Sequence, residues 1–333
     1  MNDVEELKRF VIVHARAQDL PADLYEGVLD RIRHDGEGEG SWAAEWSAAA
    51  RTLEDAGDPL AACRCFTIAR FPFVDGLPRR TAMRDAWRVF ETWRGADIGV
   101  LDLEGRLRCW TSGLSREEPR PLLVVMGGIV STKEQWAPLL LQADALGMAM
   151  LVTEMPGIGH NTLPYDKASP GMLPAILDAL ADQASVGDTY AVANSFSGHM
   201  ALRAAVSDRR IRGVITNGAP VHDFFTDPDW LRALPQITRA TLAHLTGTTP
   251  DDLPDVLGDW ALTPDELSTL EIPVSYTVSL RDEITPPSEI AHLRKHVKEL
   301  WVKEFDDVHA SPAHLDETRA WLLESLLRMR TPS

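Results

Sequence analysis

Residues 189–205 read Thr-Tyr-Ala-Val-Ala-Asn-Ser-Phe-Ser-Gly-His-Met-Ala-Leu-Arg-Ala-Ala. A short apolar run passes through a turn of small residues into a stretch of helical periodicity, and Ser195 stands at the apex. This is the pattern of a nucleophile elbow, in which a strained strand-to-helix turn lifts a serine hydroxyl above the edge of a sheet. The positions two before and two after the serine must be small, and Ala193 and Ser197 meet that need where glycines are more usual. Taking Ser197 as the nucleophile instead puts His199 at a position that wants a small side chain. A serine capping a helix N-terminus is the plainer reading of the same turn, so the rest of the chain has to decide.

The flanking sequence supplies the sheet that an elbow needs. Short apolar runs occur at Leu122–Met126, Ala149–Thr153, Thr189–Val192, Gly213–Thr216, Val274–Ser279 and Leu300–Phe305, and helical stretches separate most of them. Such alternation predicts an α/β fold with a mostly parallel sheet covered by helices on both faces. Before these runs, Ile98–Leu103 and Leu107–Thr111 alternate around Glu104-Gly105, which predicts a β-hairpin. Residues 219–270 carry helical patches and no clear strand, and read as a helical insertion.

Residues 1–95 differ in character. Trp42, Trp46, Ala49 and Leu53, and again Met83, Trp87, Phe90 and Trp93, recur at spacings of three or four, predicting amphipathic helices packed face to face. Phe71–Pro78 breaks them, and the acidic Asp35–Gly40 is a loop whose carboxylates would repel a phosphate. The expected organisation is an N-terminal helical lid or cap domain (1–95) and a catalytic domain (96–333) containing the insertion.

Composition excludes several classes of function. With 333 residues and a net charge of −17, the chain can bury a large core, and no basic tract points to nucleic acid. Cys63, Cys65 and Cys109 form no disulfide ladder; Cys63-x-Cys65 is too closely spaced for a zinc knuckle, so buried thiols are expected and no metal site. Gly157-x-Gly159 lacks the spacing of a dinucleotide fingerprint, and no cofactor is expected. The first ten residues do not read as a secretory signal, and no run approaches the ~20 apolar residues of a membrane span. A cytoplasmic protein is expected, with no membrane partner. The apolar N-terminal helices are compatible with a homodimer.

A serine is a weak nucleophile unless a histidine takes its proton and a carboxylate orients that histidine. The run 274–279 leads into Leu280-Arg281-Asp282-Glu283, and 300–305 leads into Asp306-Asp307-Val308-His309. Asp282 and His309 therefore stand in loops after strands, and the order Ser195, Asp282, His309 is that of α/β-hydrolases. Competing candidates are His314 for the base and Glu283, Asp306 or Asp307 for the acid. For the oxyanion, the donors expected are the backbone N–H of Phe196 and one from Gly127-Gly128-Ile129, with Gly128 and Ile129 named. Trp136 and Trp230 are the two tryptophans singled out as pocket walls, against the alternative of core packing.

With these residues in place, Met126-Gly127-Gly128-Ile129-Val130-Ser131-Thr132-Lys133-Glu134 resembles the Gly-Gly-x-x-Ser-Thr-Lys-Glu loop of the 2,6-dihydroxypseudooxynicotine hydrolase group. That group is related to FrsA-like proteins and to fungal hydrolases that shorten polyketides. Glu154-Met155-Pro156-Gly157-Ile158-Gly159-His160 resembles its Asp-x-Pro-Gly-x-Gly segment with glutamate for aspartate, and Ala193–Gly198 resembles its elbow. The resemblance implies the same triad and oxyanion donors. It also implies an acid from the insertion, for which Asp223 and Asp227 are the nearest candidates, with His222 beside them.

The activity it implies is hydrolysis of a bond next to a carbonyl in a small molecule, foremost a carbon–carbon bond of an aryl ketone or polyketide-like β-dicarbonyl compound. The alternatives are a carboxylesterase or thioesterase, a non-hydrolytic cyclase or dehydratase on the same fold, and a binding module.

Overall fold

A computed structural model describes residues 2–331. Two compact units are present, Met1–Ile98 with Gln236–Thr241, and Gly99–Pro235 with Leu242–Ser333.

The first unit is helical: Val4–Ala17, Ala22–Arg31, Trp42–Asp55, Pro59–Arg70 and Leu77–Arg94. Asp3, Ser41 and Asp58 cap three of these N-termini through side-chain oxygens, which satisfies backbone donors that have no partner in the helix. The periodic residues Trp42, Trp46 and Phe90 lie in its core with Phe66, all fully buried. The helix after the Phe71 break resumes at Leu77 rather than beyond Pro78, because proline in a first turn removes no helical hydrogen bond. Asp35 of the acidic loop is buried against the Arg79 guanidinium and accepts the Asn2 amide.

The second unit holds one eight-stranded sheet: β1 (Gly99–Leu103), β2 (Leu107–Ser112), β3 (Pro121–Met126), β4 (Ala149–Thr153), β5 (Ser185–Ala193), β6 (Ile211–Asn217), β7 (Val274–Ser279) and β8 (Leu300–Phe305). The order is β1-β2-β4-β3-β5-β6-β7-β8. The hairpin β1–β2 and its junction with β4 are antiparallel, and every pairing from β4 to β8 is parallel. Glu104 and Gly105 both take positive φ, as a type I′ hairpin turn requires. All five residues of β4 and five of six in β3 are buried, the signature of strands covered on both faces. At the edge, β8 exposes Lys303 and Glu304, which discourages pairing with another strand.

Three consequences matter for the site. The chain leaves β3 for one neighbour, β4, and returns to the other, β5, so the order reverses at β3, and ligands in such sheets bind beyond the strand ends at that point. The register pairs Met126 with Ala193 and with Thr153, so Gly127, Asn194 and Glu154 leave the sheet side by side. The insertion between β6 and β7 is helical, as expected: Asp223–Thr226, Pro228–Ala233, Gln236–Thr246, Leu253–Leu257 and Pro264–Thr269. Among the described residues no helix is long and apolar enough to cross a membrane. The three cysteines are buried, and burial pushes the Cys65 and Cys109 thiols up to about 12.

Candidate active site

Ser195 has φ 56° and ψ −130° at the junction of β5 and the helix Phe196–Ser207. This conformation is costly for a residue with a Cβ, and neighbouring hydrogen bonds hold it. The Ser195 N–H donates to Asn217 O at 2.8 Å, and Gly198 N–H donates to Ser195 O at 2.8 Å. A Cβ on Gly198 would lie 2.1 Å from Thr216 Oγ1 and 2.6 Å from Ala219 Cβ, so only glycine lets the helix pack so closely. The Ser197 hydroxyl, buried where a glycine is more usual, lies 3.0 Å from Met126 O and 2.9 Å from Asn194 O. It ties the elbow to the end of β3. His199 is buried beneath, with Nε2 2.9 Å from Trp260 O, and burial lowers it to about 4, so it is a neutral packing residue.

Asp282 and His309 converge on this serine from the loops after β7 and β8. His309 Nε2 lies 3.0 Å from Ser195 Oγ, and Nδ1 lies 2.9 Å from each Asp282 oxygen. Asp282 Oδ1 also accepts the N–H groups of Ile284 and Thr285 at 2.8 Å, which fixes the carboxylate before the histidine meets it. Burial works against charge on His309, but Asp282 beside it, helped by Glu283, holds its pKa above the ordinary histidine value. Gly218 takes φ 61°, and a Cβ there would lie 2.8 Å from His309 Cε1, so the end of β6 must be glycine for the ring to sit down.

The competing candidates have other work. Glu283 Oε2 accepts the His309 backbone N–H at 3.0 Å. Asp306 pairs with Arg281, and Asp307 accepts the N–H groups of Val308 and Ala313. His314 stacks on Phe305 with ring centroids 4.5 Å apart.

Gly128 lies against the nucleophile: a Cβ there would be 3.1 Å from Ser195 Cβ and 3.6 Å from Oγ. The space it leaves is where a substrate oxygen could approach the Ile129 and Gly128 amides. The Phe196 N–H opens its helix, where no helical carbonyl accepts it. Trp136 is half-buried behind this loop. Its Nε1 would lie 2.5 Å from a Cβ on Gly127 and has no hydrogen-bond partner among the described residues.

Beside the loop sits a buried ionic cluster. Lys133, with no exposure, places Nζ 2.7 Å from Glu154 Oε1, 3.2 Å from Glu134 Oε1 and 2.8 Å from His160 Nδ1. Glu154 further accepts the backbone N–H of Lys133 at 3.1 Å and of His160 at 2.7 Å, while Trp110 Nε1 donates to Glu134 at 3.2 Å. Burial disfavours the Lys133 charge, yet the two carboxylates keep its pKa above the ordinary lysine value. Burial and the Glu134 charge raise Glu154 despite Lys133. Burial, then Lys133, lowers His160 to about 4, leaving a neutral ring that accepts from the ammonium.

The insertion residues divide. Asp227 is an N-cap, its carboxylate accepting the N–H groups of Asp229 and Trp230 at 3.0 Å. Trp230 donates Nε1–H to Ile284 O at 2.8 Å, bracing the loop that carries Asp282. His222 and Asp223 are half-buried at the start of the segment. The buried Glu289 carboxylate gathers the backbone N–H groups of Val221, His222, Asp223 and Phe224, and burial raises it to about 7.

His222, Asp223 and His292 bring potential metal-ligand atoms within 4.8 Å of one another. The two imidazoles, however, stack 4.0 Å apart at 3°. Imidazole lone pairs lie in the ring plane, and parallel planes share no point where one ion could meet both.

Of the residues expected from the sequence, the structure sets Ser195, Asp282, His309 and Gly128 against one another, with Phe196 and Ile129 next in the chain to Ser195 and Gly128. Sequence reasoning gave no role to Lys133, Glu134, Glu154, Asn217, Gly218 or Glu289. The Asn217-Gly218 dipeptide was the available signal for two of them.

A family model described as Esterase FrsA-like matches residues 103–257. Esterase FrsA of Vibrio cholerae is 26% identical over 249 residues, 67% of this chain, and the chain spans 60% of that relative's length. Esterase FrsA of Vibrio vulnificus is 23% identical over 87% of this chain and 77% of its own. Among solved structures, AbyA5 is 48% identical with a TM-score of 0.94, covering 98% of this chain and 95% of its own. The 2,6-dihydroxy-pseudo-oxynicotine hydrolase shares the fold at a TM-score of 0.72 and 17% identity, covering 94% of this chain and 96% of its own. With its parallel sheet and its elbow after β5, the chain has the α/β-hydrolase fold, and it is similar to FrsA-like esterases over residues 103–257.

Proposed function

We propose that this protein is a serine hydrolase that cleaves a bond next to a carbonyl through an acyl-serine. The observation that carries the reading is His309 standing between Ser195 at 3.0 Å and Asp282 at 2.9 Å. Ser195 Oγ adds to the carbonyl carbon while His309 Nε2 takes its proton. Asp282 holds the ring with Nδ1–H toward itself and stabilises the imidazolium. The oxyanion is held by the Phe196 N–H and an N–H of Gly128 or Ile129. Collapse restores the carbonyl and breaks the bond to the leaving group. His309 then deprotonates water, which attacks the acyl carbon and frees Ser195.

The leaving group decides the substrate class. An alkoxide or thiolate needs only the proton on His309, and the match to FrsA esterases supports that as a second reading. A carbon leaving group must carry charge, as an enolate or phenol-bearing ring does, and needs a proton delivered to carbon. That proton is the one His309 took from Ser195, relayed to carbon through His222 or Asp223, so that His309 is neutral again for the water step. We favour carbon–carbon cleavage of an aryl ketone or β-dicarbonyl compound, with ester or thioester cleavage as the second reading.

The test is intact mass after exposure to a fluorophosphonate, with peptide mapping and Ser195→Ala as control, followed by product analysis on aryl ketones and aryl esters. Stoichiometric adduct on Ser195, and an acid plus a new C–H bond, support the favoured reading. An acid plus an alcohol moves it to an esterase. Absence of labelling in the folded protein overturns it in favour of a binding role, and product without oxygen from labelled water points to a non-hydrolytic reaction.

A further inference from the structure

We infer that the buried Lys133–Glu154 ion pair is a positioning device for the oxyanion loop, fixing where the Gly128 and Ile129 amides point. The inference rests on the reading of Ser195 as nucleophile and assigns the Ser-Thr-Lys-Glu string a task within it.

The geometry starts from the sheet. Met126 and Thr153 are register partners on β3 and β4, so Gly127 and Glu154 are the first residues past two adjacent strand ends. The chain from Gly127 turns at once, with the Ser131 N–H donating to Gly128 O at 3.0 Å, and enters the short 3₁₀ helix Lys133–Gln135. At that point Glu154 grips it twice, through the Lys133 backbone N–H at 3.1 Å and the Lys133 ammonium at 2.7 Å. The loop is therefore pinned at both ends to neighbouring strands, by covalent continuity with β3 and by Glu154 at β4. Between the pins, the side of Gly127 where a Cβ would stand is filled by Ser131 and Trp136, while that of Gly128 faces Ser195.

Every proton on Nζ has an acceptor: Glu154, Glu134 and His160. Gly159 makes room for the carboxylate, since a Cβ there would lie 2.3 Å from Glu154 Oε2.

Stability is a poor reason to build such a cluster. Charges buried this completely lose hydration that their attraction barely restores, and apolar residues of similar volume often serve a fold as well or better. What a hydrogen-bonded ion pair adds is direction. An acyl-transfer site needs that, because amides displaced by about 1 Å can cost on the order of 10²-fold in rate.

The test separates direction from stability. The full chain is compared with Lys133→Met/Glu154→Leu, which removes both members of the pair and leaves Glu134 with only the Trp110 Nε1 donor, and with Glu154→Gln and Glu154→Asp. The readouts are the second-order rate of Ser195 phosphonylation by a fluorophosphonate, kcat and KM on an aryl ester, and thermal melting.

The expected result is a double variant that folds, melting below the parent because Glu134 loses its ammonium, and that phosphonylates about 10²-fold more slowly at a temperature where both are folded. Its kcat falls while KM stays within a few-fold, and Glu154→Asp recovers most of the rate that Glu154→Gln loses. Parent-like phosphonylation in the folded double variant overturns the inference and leaves the Ser195 reading intact. A parent that itself takes no label overturns both. A double variant that fails to fold assigns the pair to folding and overturns the inference if folded Glu154→Gln reacts at the parent rate.

Discussion

The two halves of the site are held in place by different physics. On the nucleophile side the backbone is forced: Ser195, Ala310 and Ser311 have φ of 56°, 66° and 50°, three of the five non-glycine residues with positive φ among those described. Mostly neutral hydrogen bonds lock them, from the Ser195 N–H to Asn217 O, from Asn217 Nδ2 to Ala310 O at 3.2 Å, and between the Ser311 and Ser279 hydroxyls at 2.8 Å. On the oxyanion side the clamp is charge, with Lys133, Glu134 and Glu154 all buried. The difference follows from what each half does. A proton must pass from Ser195 to His309 and onward, so extra buried charge there would shift the very groups that titrate. The oxyanion loop moves no proton, and a charged clamp can fix it without interfering.

Removing the nucleophile should have the largest effect and show that the strained half carries the chemistry. Ser195→Ala is expected to lower kcat by roughly 10⁶-fold, the scale seen when a triad serine is lost, and to abolish the fluorophosphonate adduct. Its melting temperature should stay within a few degrees of the parent, because the forced backbone is kept. Asp282→Asn comes next. An amide can accept from Ile284 and Thr285 as before, but it presents N–H to His309 and favours the wrong tautomer, so kcat should fall by about 10⁴-fold with little change in KM.

Lys133→Met tests the charged half in the currency of stability. It leaves Glu154 and Glu134 buried without their ammonium, and breaking a buried pair in this way costs about 3–5 kcal/mol. At roughly 2–4 °C per kcal/mol for a domain of this size, calorimetry should show a clear drop in melting temperature. A drop as small as that of a surface variant would mean the carboxylates take up protons freely, and the contrast between the halves would fail.

The pH profile sharpens the contrast without any mutation. As base, His309 must be neutral, and Asp282 holds its pKa above the ordinary histidine value. The acidic limb of kcat/KM should therefore lie above about 6.5, with activity low below it and rising as pH increases through it. In Asp282→Asn the limb should move down. A parent limb below 6.5 would mean that burial outweighs Asp282.

The same division explains what could be read from the sequence. The elbow was legible because its constraint is local: a serine between small residues, after an apolar run and before a helical one. The strands were legible because a strand buried on both faces is a continuous apolar run. The largest difference is at the start of β5, where Ser185–Asp188 carries one apolar side chain and lies ahead of the buried stretch, and β6 begins two residues before the expected Gly213.

The charged half was not legible, because Lys133 and Glu154 stand 21 residues apart and a lysine in a polar string reads as solvent-exposed. Only the family resemblance picked out that string, without giving it a task. Glu289 is harder still, a helix carboxylate whose amide partners lie 65 to 68 residues away. The capping role of Asp227 has a local signal, an aspartate directly before a proline at a helix start, which marks an N-cap.

The smallest effect asks whether strain at the histidine loop is needed or merely tolerated. Ala310 follows His309 directly and sits in the left-handed region, where a Cβ costs roughly 1–2 kcal/mol. Ala310→Gly removes that cost from the folded state and adds about 0.4–1 kcal/mol of backbone freedom to the unfolded chain, so stability should change by no more than about 1 kcal/mol. Activity should respond differently. The loop loses the stiffness that keeps His309 aimed at Ser195, and kcat, measured above the acidic limb, should fall several-fold while KM stays put. If kcat is unchanged, the Asn217 and Ser279 hydrogen bonds with Glu283 hold the histidine by themselves. Backbone strain as a working part of the site would then narrow to Ser195, whose φ cannot be relaxed without losing the elbow.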